Sequence, residues 1–551
     1  MGASLRALRA LVLLAGFYLL GLVLIAALTG IGFAAWSAGL RGPGLAKLVI
    51  VSVVLSVPIV RGMFMLRMPK GDPLPGVPVD ERQEPELWRT VREIAEQVGT
   101  RAPDEIVLIA DVNAAVGEDA RLLGLLPGTR RLFVGLPLMS GLDEMQLRAV
   151  LAHEMGHYAN LDTRLTPLIR RGRVQLLRTV KHFDDRADAA VAKERAKQEK
   201  KAQRRIAAGK KAKAVDTSGD GAMYRAMAKI YAGYGNFYQR ATLAGARRQE
   251  LAADLASVRV AGRDSAASAL REFNALGPAH EFYMDRYATL GVDARLMPRP
   301  GQVFGGVRRL LDARAEELDE LRTELPQKPA SPYDSHPALA ERVARIEALP
   351  DDGRAAQPAR PALELLTDAE ASLTALERAV LTPEAFAMER LDWEDLVHTS
   401  MTRYVDEGAE QIREAVAAEL AGAGAAAGAA AAADLPSGAA PASLSSLLDA
   451  IDADPAVRWR LTDRFPKSEE AAAATGRAAR EFARPVLRRA LNQLVTAELT
   501  ARGTARWQLS WTDSATLRYP ADGFEERLKT ALDSAVADLP DTDPLRKLVL
   551  L

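Results

Sequence analysis

His153-Glu154-Met155-Gly156-His157 is the stretch on which the reading of this chain turns. On a helix, residues four apart share a face at about 5–6 Å, so the imidazoles of His153 and His157 can converge on one zinc ion. Glu154 follows the first of them, where a carboxylate can take a proton from a water at the metal. The spacing fits metal-assisted hydrolysis. The pattern also arises by chance, and two surface histidines four residues apart are the plain alternative. Context favours a site: strand-like runs precede the helix, Ala149, Val150 and Ala152 leave little bulk around the rings, and the chain has only six histidines. The span Asp143 to Tyr158 is expected to form that helix, opened by a capping box of Asp143 and Gln146.

A catalytic zinc needs a third protein ligand and an open position for water. The metzincin arrangement is absent, because Asn160 and Thr163 stand where it wants Gly and His. Asp162 falls where the helix is expected to end and reads as a terminal residue. The stronger candidate is Glu250, in Gln249-Glu250-Leu251-Ala252-Ala253-Asp254. On that second helix Asp254 lies one turn past Glu250 on the same face, placed to accept the other ring N–H of a zinc-bound histidine. The alanines between them let two helices come close.

H-E-M-G-H followed, about ninety residues on, by E-L-A-A-D resembles the HtpX-like and CAAX-prenyl-protease group of membrane gluzincins, which includes Oma-like proteases. Asn113-Ala114 resembles the N-A motif beside that group's substrate groove. Ser335-His336-Pro337-Ala338-Leu339-Ala340-Glu341-Arg342 resembles its S-H-P-x-x-x-x-R motif. The resemblance implies a zinc metalloendopeptidase with one Zn2+ per chain, held by His153, His157 and Glu250, with Glu154 as general base. It also implies that His336 steadies the tetrahedral oxyanion and that Arg342 holds the Glu250 carboxylate. Such assignments are physically sound: a donor aimed at developing negative charge contributes on the order of 3–4 kcal/mol to the barrier, and a guanidinium suits two-pronged orientation of a carboxylate. His182, His280 and His398 sit in no such motif.

Two apolar segments open the chain. Ala10 to Leu40 carries no charged residue, too long for a signal-peptide core and long enough to span a bilayer, which takes about 20 residues. Leu48 to Leu66 is interrupted by Pro58 and Arg61 and spans only if Arg61 snorkels toward the headgroups. If both cross, Arg6 and Arg9 share a side with Arg61, Arg67 and Lys70, and the positive-inside rule puts the catalytic domain in the cytoplasm of a multi-pass cell-membrane protein. If only the first crosses, the body faces outside. Arg170, Arg171, Arg173 and Arg178, with the basic stretch after them, make further spans costly. That argues against prenylated substrates and for extended or unfolded polypeptides reaching a tethered domain.

The expected fold class is α+β, mostly α: a zincin-type peptidase domain with active-site helices beside a small β-sheet, behind a transmembrane hairpin. The layout is an anchor over 1–70, a peptidase domain over 71–350 with a basic insertion at 181–215, and a mainly helical C-terminal region over 351–551. An Ala/Gly-rich linker at 421–443 divides that last region. Strands are expected at Glu105 to Ala110 and Arg131 to Leu136, and a hairpin within Arg506 to Tyr519. A substrate peptide is expected to add beside the Arg131 to Leu136 run. Lys181 to Lys213 holds 12 basic and 5 acidic residues, a solvated stretch that gains an anionic-lipid reading if it faces the cytoplasm. The stripe Tyr224, Met227, Tyr231, Tyr234, Tyr238 reads as a helix packing on a core.

Composition narrows the alternatives. With no cysteine, thiolate zinc sites, disulfides and cysteine nucleophiles are excluded. A formal net charge of zero argues against a surface given over to nucleic acid, and no nucleic-acid partner is expected. The competing readings are a catalytically silent membrane adaptor on a peptidase-like fold, and a lipid-surface or nucleic-acid module acting through Lys181 to Lys213. Kinship to HtpX suggests quality control of membrane proteins.

Overall fold

The computed structural model describes residues 3–64, 75–118, 128–159, 166–208, 210–211, 214–328, 337–354, 360–427 and 442–549. Helices α1 (Ala3–Ser37) and α2 (Pro43–Phe64) form an antiparallel pair, each long and apolar enough to cross a membrane. Their outward side chains, such as Leu19, Leu22, Ile31, Phe33 and Val53, are exposed, an apolar surface of the kind that lipid rather than water covers.

Strand β1 (Gly76–Val79) leads into α3 (Pro85–Val98), which buries Leu87, Val91 and Ile94 at helical spacing and ends on Gly99 in the left-handed conformation. Strands β2 (Glu105–Ile109), β3 (Ala114–Glu118) and β4 (Arg130–Gly135) follow. The sheet order is β1-β2-β4-β3, with β2 parallel to β4 and the other two pairs antiparallel. This corrects the expected docking edge. The run Arg131 to Leu136 lies in the interior strand β4, because its main-chain groups are already shared with β2 and β3; among the described residues the edge strands are β1 and β3, and the open edge that begins at Ala114 is β3.

After α4 (Leu136–Gly141), helix α5 (Glu144–Ala159) starts at the expected capping box: Gln146 N–H donates to Asp143 Oδ1 at 2.7 Å, and Asp143 N–H donates to Gln146 Oε1 at 2.9 Å. Two long helices follow, α6 (Thr166–Ala207) and α7 (Ala222–Ala261). The Lys181 to Lys213 stretch is therefore helical as far as Ala207, and most of its side chains beyond Ala187 are exposed. The tyrosine stripe lies on α7, where Met227, Tyr231 and Tyr238 are buried against Leu13, Phe17, Ile59 and Met63 of the apolar hairpin and Leu176 and Phe183 of α6. Tyr234 O–H donates to the Leu13 carbonyl. The core this stripe covers is thus the hairpin's own base.

The chain divides into two compact units, 1–280 with 316–380 and 281–315 with 381–551. The division does not fall at residue 350. Residues 360–380 pack with the peptidase region: Arg360 bonds Glu86 and Glu144, Ala362 N–H donates to the Leu142 carbonyl, and buried Glu84 accepts from Thr367 N–H and Ser372 Oγ. In the second unit, Leu296–Pro298 pairs in parallel with Glu389–Leu391, which draws 281–315 to the later residues. Its core is helical, built on Ile412, Leu447, Leu448, Leu491, Val495 and Leu528. The expected hairpin is present as Arg506–Gln508 against Thr516–Arg518. Helix Trp393–Ala427 runs into the Ala/Gly tract, the rest of which lies outside the described residues.

Candidate metal centre

Helices α5 and α7 meet at very small residues. A Cβ on Gly156 would stand 3.0 Å from Ala256 Cβ and 3.1 Å from Ala253 Cα, so this glycine sets how closely the two backbones approach. Ser257 Oγ closes the contact by donating to the buried Ala149 carbonyl. The pair runs antiparallel at the site, since His153 faces Asp254 and Glu250 while His157, one turn on, faces Glu250.

His153, His157 and Glu250 each turn a ligand atom inward, and these atoms lie within 4.8 Å of one another. His153 Nε2 is 3.5 Å from Glu250 Oε2, and His157 Nε2 is 3.7 Å from Glu250 Oε1. Bonds of about 2.0–2.1 Å in a tetrahedron would put ligand atoms about 3.3 Å apart, so the set fits zinc with little adjustment. The donors suit it as well: two imidazoles and a carboxylate, without thiolates. Glu250 is buried, His153 and His157 are partly so, and Glu154 sits half-buried on α5 between the histidines.

His153 is held from behind. Its Nδ1 lies 3.1 Å from Asp254 Oδ1, which leaves Nε2 directed at Glu250. Arg342, on the helix Leu339–Glu347, grips Asp254 with two bonds, Nη2 to Oδ1 at 2.6 Å and Nε to Oδ2 at 3.1 Å. The role expected for Arg342 differs here: its fork closes on Asp254, one turn beyond Glu250, and it acts on Glu250 through charge. Burial pulls the His153 imidazole down, but its bonds to Asp254 and Glu250 outweigh this and push it up to about 9. Asp254 shows the complementary effect. Burial works to raise it, yet its bonds to His153 and Arg342 hold it below the usual carboxylate range.

Asn113 precedes the open edge. Its carbonyl accepts Gly135 N–H at 2.9 Å, and Gly135 admits no side chain because a Cβ there would overlap the Asp111 carbonyl. Ala114 is the first residue of β3 and buried. Sequence reasoning passed over Tyr158, whose hydroxyl donates to the Val116 carbonyl at 2.6 Å and so ties the end of α5 to that edge strand. Its signal was its place directly after the second histidine. Arg130 stacks over the Tyr158 ring at 4.8 Å and pairs with Glu118 at 3.1 Å. His336 and Asp162 lie outside the described residues.

Residues 81–349 match the model of peptidase family M48. This region belongs to that family. The M48 members are zinc metallopeptidases, so the chain carries a metallopeptidase domain, and the matched range contains every residue of the centre described above. No curated protein and no solved structure matches the chain.

Proposed function

We propose that the chain is a membrane-anchored zinc endopeptidase that cuts extended or unfolded polypeptides. The observation that carries this is the convergence of His153, His157 and Glu250 from two helices inside an M48 domain. Zinc, when bound, supplies Lewis-acid polarisation of the scissile carbonyl and of water. His153, His157 and Glu250 hold the ion, and Asp254 with Arg342 keeps the His153 ring in the required tautomer and orientation. Glu154 takes a proton from the attacking water and passes it to the leaving amine. The His336 side chain donates to the developing oxyanion.

Substrate lies along β3, pairing its main chain with the open edge that Asn113-Ala114 begins and Tyr158 braces. Main-chain pairing demands little of side chains, which supports broad specificity and a part in membrane-protein quality control. The apolar hairpin crosses a cell membrane twice, with the peptidase domain on the cytoplasmic side, as the distribution of Arg6, Arg9, Arg41, Lys47 and Arg61 favours.

Glu154→Gln tests the chemistry. Zinc content of the full chain is expected to stay unchanged while hydrolysis of an unfolded polypeptide falls by about 10²–10⁴-fold. Full activity in that variant would remove Glu154 as the base.

A further inference from the structure

Only alternate residues of β3 turn their main-chain groups to its open side. The Asn113 carbonyl accepts Gly135 N–H, and the register sets Ala115 against Phe133 and Gly117 against Arg131, so residues 113, 115 and 117 face β4. The far side of β4 agrees with this alternation. There the Arg130 carbonyl accepts Asp104 N–H on the β2 side, which leaves residues 131, 133 and 135 for β3. Ala114, Val116 and Glu118 therefore point their N–H and C=O groups outward. Of these, Ala114 is buried, while Val116 at the strand's centre and Glu118 at its end are partly exposed.

The outward carbonyl of Val116 is already engaged. Tyr158 O–H donates to it at 2.6 Å, near the distance of about 2.9 Å at which the N–H of a partner strand would stand. The hydroxyl is held in that position. The Arg130 guanidinium lies 4.8 Å over the Tyr158 ring, and it is itself fixed by Glu118 at 3.1 Å, Thr100 Oγ1 at 3.0 Å and the Arg101 carbonyl at 2.6 Å. Glu118 also accepts Gly128 N–H at 3.2 Å. The Arg130 and Glu118 side chains are only 11% and 15% exposed, so salt screens this clamp little.

We propose that Tyr158 is a specificity-determining residue: by holding the Val116 carbonyl it breaks the ladder that substrate forms on β3, and so admits polypeptide extended along only part of that edge. Substrate bonds at Val116 through the N–H alone. The inference rests on β3 being the edge along which the peptidase reading lays its substrate.

Binding tests it without turnover. The zinc-loaded full chain carrying Glu154→Gln is used to select a fluorescein-labelled peptide. That peptide, N-methylated at one residue at a time, is then titrated against the same chain and against one that also carries Tyr158→Phe. The second substitution frees the Val116 carbonyl and keeps the ring under Arg130, so the parent peptide is expected to bind about 2–10-fold more tightly, the worth of one hydrogen bond. Methylation at one further position, the one whose N–H reaches that carbonyl, should cancel the gain.

Equal or weaker binding in the Tyr158→Phe chain, or the same methyl-sensitive positions in both chains, would overturn the proposal. Loss of zinc from that chain would do so too, by making the hydroxyl a support of the metal-binding helix. A selection that yields no binder would remove β3 as a docking edge and the cap with it. The peptidase reading is tested separately, by cleavage of an unfolded polypeptide with Glu154 intact.

Discussion

Asp254 is bonded on one side by His153 and on the other by Arg342, so two buried residues stand behind one candidate metal ligand. The effect of Asp254 and Arg342 should therefore be read in metal affinity. Arg342→Ala or Asp254→Asn is expected to weaken zinc binding by about 10–100-fold in chelator competition, with the unfolding midpoint of the zinc-loaded protein much less affected. Unchanged affinity would deny the pair its positioning role. Glu144 offers a test of a different kind. Burial works to raise its pKa, but bonds from Arg360 and Arg148 outweigh it and hold the group below its usual 4.5. A carboxylate lowered on folding contributes stability above its unfolded value and loses it as pH falls through the folded one. The Glu144→Gln variant should therefore melt below the wild type at neutral pH, and the gap should close as the pH drops below 4.5. A gap constant with pH would contradict that linkage.

One helix contact decides whether the centre forms, and a second steadies the start of α5. At Gly156 the neighbouring alanines leave no room for a branched side chain, and Gly156→Val should force α5 from α7 at about 1–3 kcal/mol, visible as a lower melting temperature together with lost zinc. At the start of α5 the capping box contributes locally, so Asp143→Ala is expected to cost about 1 kcal/mol while leaving zinc stoichiometry intact. The place of Gly156 in the first contact was hidden, whereas the alanines after Glu250 and the cap of Asp143 with Gln146 were legible in the sequence. The edge strand was not. Residues 114–118 read Ala-Ala-Val-Gly-Glu, with few of the large β-formers that mark β4, and a short edge strand lacking them carries almost no periodic signal. The partner of Arg342 was also hidden, because Glu250 and Asp254 share one helix face and only the three-dimensional approach of the helix Leu339–Glu347 selects between them.

Across the whole chain, the metal-binding pattern, the apolar hairpin and the helical character of the C-terminal residues were legible because each is a local pattern of spacing or composition. The units were not legible in that way. Segment 281–315 joins residues after 381 through a strand pair of three residues each, a long-range pairing that no local composition announces. The cytoplasmic placement has its own test, made simple by the absence of cysteine. A membrane-impermeant thiol reagent added to intact cells should label Gly42→Cys and leave Gly353→Cys unlabelled until lysis; the reverse pattern would invert the topology.

The central claim is that His153, His157 and Glu250 together hold one metal ion. Zinc per chain in the purified full-length protein, measured beside Glu250→Ala under the same buffer, tests it most directly. About one zinc per wild-type chain and a small fraction of that in the variant is the expected result. Equal zinc content in the two proteins, or none in either, would contradict it.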